Sequence, residues 1–118
     1  MLFIYYPKCS TCIKAKKYLE NAGVSLTLRD ISKENPTKEE LYTFYKKSNL
    51  PLKKFFNTSG LLYKEQKLKE KLPTMSEEEM LDLLASNGML VKRPLLVSED
   101  YVLVGFKEDE YKKLLINA

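Results

Sequence analysis

The spacing of hydrophobic positions changes along the chain, and each change marks an element. Leu2 to Tyr6 is a continuous apolar and aromatic run closed by Pro7, the pattern of a short buried strand. Cys12, Ala15, Leu19 and Ala22 then recur at steps of three and four, one face of a helix, with Lys14, Lys17 and Glu20 off that face. Ser10 is the expected N-cap of this helix, and Asn21 to Gly23 its stop. From Val24 to Ile31 the period returns to two: Val24, Leu26 and Leu28 fall on one side and Ser25, Thr27 and Arg29 on the other. Two strands joined by one helix pair in parallel through a right-handed crossover.

The middle of the chain reads as helical. Thr37-Lys38-Glu39-Glu40 and Ser76-Glu77-Glu78-Glu79 are capping boxes, in which hydroxyl and carboxylate each satisfy a free amide of the first turn. The first box opens a helix with Leu41, Phe44 and Tyr45 as its apolar stripe. The second opens one with Met80, Leu83 and Leu84 inward, stopped by Asn87-Gly88. Between them, Leu50 to Phe56 reads as a short helical turn opened by Pro51, Asn57 to Gly60 as a loop, and Tyr63 to Lys71 as one short exposed helix. Strand signals return at Leu95–Val97 and Tyr101–Val104, joined by Ser98-Glu99-Asp100 as an antiparallel hairpin. Lys107 to Ile116 closes the chain as a helix whose early acids, Glu108, Asp109 and Glu110, complement its dipole.

The resulting order, β-α-β, helices, β-β-α, predicts an α/β fold. Its plan is that of a thioredoxin-like domain: one four-stranded mixed sheet, with a helical insertion at roughly 32–88. The 118 residues form one domain, 1–118, with no linker or repeat.

Composition narrows the chemistry. There is no histidine, which excludes Ser-His-Asp and Cys-His devices, imidazole metal sites and histidine pH switches. Two cysteines cannot complete a four-coordinate zinc site within one chain, so no metal is expected, and thiol–disulfide chemistry implies no organic cofactor. Net charge is +4, with 11 basic and 5 acidic side chains in residues 1–60. Arg29 and Arg93 are the only arginines. Phosphate-binding surfaces favour the planar fork of arginine, so the lysine excess reads as a solvated surface and no direct nucleic-acid binding is expected. The N-terminal run is too short for a signal peptide, and no apolar stretch approaches the roughly 20 residues of a membrane span. The expectation is a cytoplasmic monomer without membrane contact.

In a reducing compartment two cysteines are not a structural staple. Cys9-Ser10-Thr11-Cys12 falls at the junction of the first strand and first helix. A thiolate there faces free amides and the positive end of the helix dipole, which lower its pKa. Lys8, with Lys14 or Lys16, is expected to add positive charge. Cys9, in the loop, would attack; Cys12, in the helix, would resolve the mixed disulfide. The competing reading makes Cys12 a simple core position, or the pair half of a zinc site shared between subunits. Pro94 is either the cis-proline that precedes the third strand of thioredoxin-type folds or an ordinary trans proline at a strand start.

Tyr6-Pro7-Lys8-Cys9-Ser10-Thr11-Cys12, Lys14-Ala15-Lys16-Lys17 with Leu19, Lys92-Arg93-Pro94-Leu95, and Val104-Gly105-Phe106 with Glu108-Asp109-Glu110 together resemble the arsenate reductase (ArsC)/Spx family. Leu52 to Gly60 is most similar to its arsenate-reductase-related branch. The resemblance implies a nucleophile at Cys9, an anion-handling arginine at Arg93, and a site shaped by Pro94, Ser10, Thr11 and Lys8. The other reading of Arg93 is a surface ion pair or a cap on a backbone carbonyl. Glutaredoxin-linked arsenate reductases place several arginines around the oxyanion. Here Asn57 and Phe106 stand at or near two of those positions, so arsenate is not the expected substrate. Enzyme members imply thioredoxin, glutaredoxin or a low-molecular-weight thiol as reductant. Spx-type members imply a redox-responsive regulator that binds the RNA polymerase α subunit, although the basic C-terminal extension associated with Spx does not follow the last helix.

Overall fold

Strand β1 (Leu2–Tyr5) sits at the centre of the molecule because it is apolar on both faces: Phe3 and Ile4 have no exposed surface. The computed structural model describes residues 1–117. Helix α1 (Ser10–Asn21) carries the chain from β1 to β2 (Thr27–Asp30), which pairs with β1 in parallel, Leu2 opposite Thr27 and Tyr5 opposite Asp30. On the other side β1 pairs antiparallel with β3 (Leu95–Val97), and β3 pairs antiparallel with β4 (Val102–Val104). The sheet order is β2-β1-β3-β4, the mixed four-stranded sheet expected of a thioredoxin-like α/β domain. Ser98 closes the β3–β4 hairpin, accepting at its hydroxyl from the amides of Asp100 and Tyr101.

The two faces bury separate cores. Phe3 and Leu96 pack against Ala15 and Leu19 of α1 and Tyr111 of α6 (Glu108–Asn117). Ile4, Leu95, Val97, Val102 and Val104 pack against the helices between β2 and β3. Those are α2 (Lys38–Ser48), α3 (Leu61–Glu65), α4 (Leu68–Lys71) and α5 (Glu77–Ser86), with 3₁₀ turns at Leu52–Phe55, Leu72–Thr74 and Gly88–Leu90. This helical segment shares its core with the sheet and has none of its own among the buried clusters. None of the described helices is long and apolar enough to cross a membrane.

Both capping boxes form. The Thr37 hydroxyl accepts from the Glu40 amide at 3.1 Å and the Glu40 carboxylate from the Thr37 amide at 3.0 Å; Ser76 and Glu79 repeat the pattern. Gly23 and Val24 donate to the carbonyls of Glu20 and Leu19, ending α1 in a Schellman motif.

Four local expectations need correction. The second strand is shorter than Val24–Ile31, because β1 offers only four residues to pair with; as the edge strand it leaves Leu28 44% exposed. Ala22 is exposed, since α1 ends beneath it. Tyr63–Lys71 is broken into α3 and α4 by Lys67, whose φ of 52° is left-handed. The buried stripe of α5 is Leu81 and Leu84, with Met80 and Leu83 only partly covered. Asn87-Gly88 stops α5 as expected, and a Cβ at Gly88 would lie 2.8 Å from the Ile31 carbonyl oxygen.

Arg29 ties β2 to α2. Its guanidinium meets the Glu40 carboxylate at 2.7 and 2.9 Å and donates to the carbonyls of Glu34 and Asn35. The Arg29 hydrogen bonds hold the Glu40 carboxyl at about 2, below the usual carboxylate range. A carboxylate depressed on folding adds stability above its unfolded pKa and loses it as pH falls toward its folded one. Glu40→Gln should therefore cost about 1–2 kcal/mol near pH 7, where the pair is charged and only part-exposed. In urea titrations the gap to the unmodified protein should close as pH falls from about 4.5 toward 2.

Candidate active site

Cys9 is where the extended backbone of β1 gives way to α1. Its φ and ψ are −93° and 119°, its amide donates to the Tyr6 carbonyl, and its own carbonyl accepts from Ile13. The helix thus begins one residue earlier than expected: Cys9 is the N-cap, and Ser10 is an exposed first-turn residue outside the cleft described below. No side-chain cap is formed, so the first amides of α1 remain open toward the Cys9 sulfur.

The two thiols sit in opposite environments. Burial pulls Cys9 up, but the Cys12 amide and thiol, the Arg93 charge and the Thr11 amide outweigh it, and the thiol falls below its usual value. Cys12 has no exposed surface, and burial, reinforced by the neighbouring Cys9, pushes it up to about 12. Both cysteines are free. The leading cation acting on Cys9 is Arg93. Lys8 and Lys14 are exposed, and the Lys16 ammonium lies 6.0 Å from the centre of the Tyr5 ring.

Arg93 reaches this position from the neighbouring strand. It precedes β3, and the Arg93–Pro94 peptide bond is cis, with Pro94 buried. The guanidinium carbon stacks 5.3 Å from the centre of the Tyr6 ring, and one terminal nitrogen donates weakly to the carbonyls of Val91 and Gly88 at 3.3 and 3.4 Å. Its buried Nε has no partner. Arg93 therefore caps carbonyls and faces Cys9 at once, and it makes no ion pair among the described residues. Beneath it, the Pro94 carbonyl accepts from the Gly105 amide at 2.8 Å. Gly105 has a φ of 78°, a conformation that glycine alone adopts without strain, and its carbonyl faces the buried Tyr111 hydroxyl at 3.4 Å.

These parts enclose a cleft of about 510 Å³. Cys9 and Thr11 line one side, Arg93 and Lys92 another, the Asn57–Gly60 loop a third, and Val104 to Lys107 the last. Among the described residues no acidic side chain lines it. A larger hollow of about 1140 Å³ lies at the other end of the sheet, near Met1, Lys47 and Tyr101, and contains neither cysteine. No group of three or more Cys, Asp or Glu side chains with metal-binding potential comes together among the described residues.

The ArsC family model matches residues 4–114. The chain belongs to the ArsC family. It is 56% identical to the uncharacterized protein YusI of Bacillus subtilis, over 96% of each chain. It is 28% identical to the global transcriptional regulator Spx of Staphylococcus saprophyticus, over 92% of this chain and 82% of that one. The crystal structure of an ArsC family related protein from Bacteroides fragilis superimposes with a TM-score of 0.93 at 60% identity, over 96% of this chain and 95% of that one.

Within this ArsC domain the positions singled out from sequence divide. Cys9, Thr11 and Arg93 meet in the cleft; Cys12 lies behind Cys9 and Pro94 beneath the floor; Lys8 and Ser10 are exposed and do not line it. Asn57 and Phe106 face the same cleft, although neither brings a charge. Arg29 is committed to Glu40 and takes no part. Lys92, Lys107, Tyr6 and Tyr111 carried no role in the sequence reading. Lys92 adjoins Arg93, and Lys107 follows the Val104-Gly105-Phe106 motif, so adjacency to a motif was the available signal.

If Arg93 lowers the Cys9 thiol, iodoacetamide labelling of Cys9 against pH should give a midpoint below that of a free thiol, about 8.5. Arg93→Gln should move that midpoint upward and slow labelling near neutral pH. An unchanged midpoint would show that the helix amides act alone.

Proposed function

We propose that this ArsC-family protein is a thiol–disulfide oxidoreductase of the cytoplasm, with Cys9 as nucleophile and Cys12 as resolving thiol. The observation that carries this reading is the split between the two thiols: Cys9 lowered at the helix N-terminus in an open cationic cleft, Cys12 raised and fully buried directly behind it.

The Cys9 thiolate attacks one sulfur of a substrate disulfide, forming a mixed disulfide and releasing the other sulfur as a thiolate. Cys9 then no longer carries charge. Two of the influences that raise Cys12, the charge and hydrogen bonding of Cys9, disappear, and burial remains. Cys12 passes its proton to the departing sulfur and attacks Cys9 Sγ, which leaves a Cys9–Cys12 disulfide. The two electrons of the dithiol have reduced the substrate. Thioredoxin, glutaredoxin or a low-molecular-weight thiol restores it. Arg93 holds the thiolate form of Cys9, with Thr11 adding its amide and Pro94 shaping the floor.

The experiment is trapping. Cys12→Ser removes the resolving thiol, so partners should accumulate as mixed disulfides on Cys9, visible by non-reducing electrophoresis and absent from the Cys9→Ser/Cys12→Ser variant. An absence of mixed disulfides would overturn the oxidoreductase reading. With arsenate in place of a disulfide, no consumption of reductant is expected.

The similarity to Spx regulators favours one second reading, a redox-responsive regulator of RNA polymerase. It requires non-covalent binding to the polymerase α subunit, with affinity that changes when Cys9 and Cys12 are oxidised. A pull-down with reduced and oxidised protein separates the two.

A further inference from the structure

Three cations converge on the Cys9 cleft, and they are not equivalent. The Arg93 guanidinium is engaged in part: it stacks on Tyr6, donates through one terminal nitrogen to two carbonyls and lowers the Cys9 thiol. Lys92 and Lys107 line the same cleft and make no ion pair among the described residues. The stem of Lys92 runs past Gly105. Its Cε lies where a side chain at residue 105 would stand, 2.9 Å from a Cβ built on Gly105. The opposite wall supplies Thr58 and Ser59, hydroxyl groups without charge, and among the described residues no carboxylate lines the cleft; the acids that follow Lys107, Glu108 to Glu110, lie outside it.

We propose that this cleft selects small disulfides whose halves carry carboxylate or phosphate groups, and that Lys92 and Lys107 are its specificity-determining side chains. The proposal rests on the thiol–disulfide reading of Cys9 and names the substrate class of that site. Size points to a small molecule: a volume of about 510 Å³ lies within the range of small-ligand pockets. Charge points to an anion, because a cleft lined by one sign of charge concentrates ligands of the other. Lysine acts as a point charge without the planar fork of arginine, so the anionic group can stand at variable distance from the reacting sulfur. The chemistry is a two-electron exchange. The Cys9 thiolate bonds to one substrate sulfur, the substrate S–S bond breaks, and the anionic thiolate leaves past the two ammonium groups; Cys12 then displaces the second half, and an external dithiol reduces the Cys9–Cys12 bond.

The test compares four disulfides on the reduced full-length protein: dithiodipropionate, coenzyme A disulfide, neutral hydroxyethyl disulfide and cationic cystamine. Each rate is divided by that of dithiothreitol with the same disulfide, which removes differences in leaving-group reactivity. The normalised dithiodipropionate rate should exceed that of cystamine by about tenfold at low ionic strength. The preference should shrink in about 0.5 M salt and in Lys92→Gln/Lys107→Gln. Because the readout is a ratio within one protein, partial misfolding of the variant does not imitate the result. A larger advantage for coenzyme A disulfide would identify phosphate as the recognised group, and a larger one for dithiodipropionate would identify carboxylate. Equal normalised rates across the series, or a preference unchanged in the double variant, would overturn the inference and leave the oxidoreductase reading standing. No reaction with any of the four would overturn both.

Discussion

The pairing of β1 with β3 is the constraint on which the site depends. Because the two strands are antiparallel, with Ile4 opposite Leu95, the end of β1 and the beginning of β3 lie at the same edge of the sheet. That edge receives Cys9 from one strand and Arg93 from the other, 84 positions apart in sequence. Antiparallel β4 returns to the same edge with Val104 opposite Leu95, which places Gly105, Phe106 and Lys107 beside them. No segment of the chain contains the site. The register of three strands assembles it, and a one-residue slip of β1 would exchange Phe3 and Ile4 between the two separate cores they fill.

Electrostatics follows from the same assembly. Without histidine, the thiol depends on amides and one guanidinium. The amides belong to α1 and come with the helix. The guanidinium must be delivered across the sheet, and the Tyr6 ring is the surface on which it rests. Cys12 needs the contrary setting, and the α1 face that buries Ala15 and Leu19 also buries Cys12. One helix thus supplies both the open donors that favour a thiolate and the dry face that opposes one.

What could be read from sequence was local or strongly periodic. The α1 face from Cys12 to Leu19, the two capping boxes and the Ser98 hairpin each depend on residues a few positions apart, and all form as expected. The place of Pro94 before a strand left a cis and a trans peptide bond both open, and the structure has the cis one. The misreadings came from tertiary context. Lys67 adopts a left-handed backbone that no residue type announces, and β2 is trimmed by the length of its partner. Leu81 takes the core position where Met80 and Leu83 stood in the periodic reading. At the site, the cysteines and Arg93 were legible because they fall in motifs. The places of Lys92 and Lys107 on the cleft wall were hidden, since a lysine on a surface and a lysine on a cleft wall look alike until the strands are paired.

The Arg29–Glu40 contact carries a dynamic consequence. Glu40 serves two structures at once, closing the first turn of α2 through Thr37 and gripping Arg29 on the sheet's edge. Fraying of that helical turn and release of that edge are thereby joined in one cooperative opening unit. An edge strand would otherwise be the first part of a sheet to exchange its amides with solvent or to offer itself to a neighbouring chain. Here its protection is borrowed from a helix on the opposite side of the crossover, and the strand stays closed for as long as the helix stays wound.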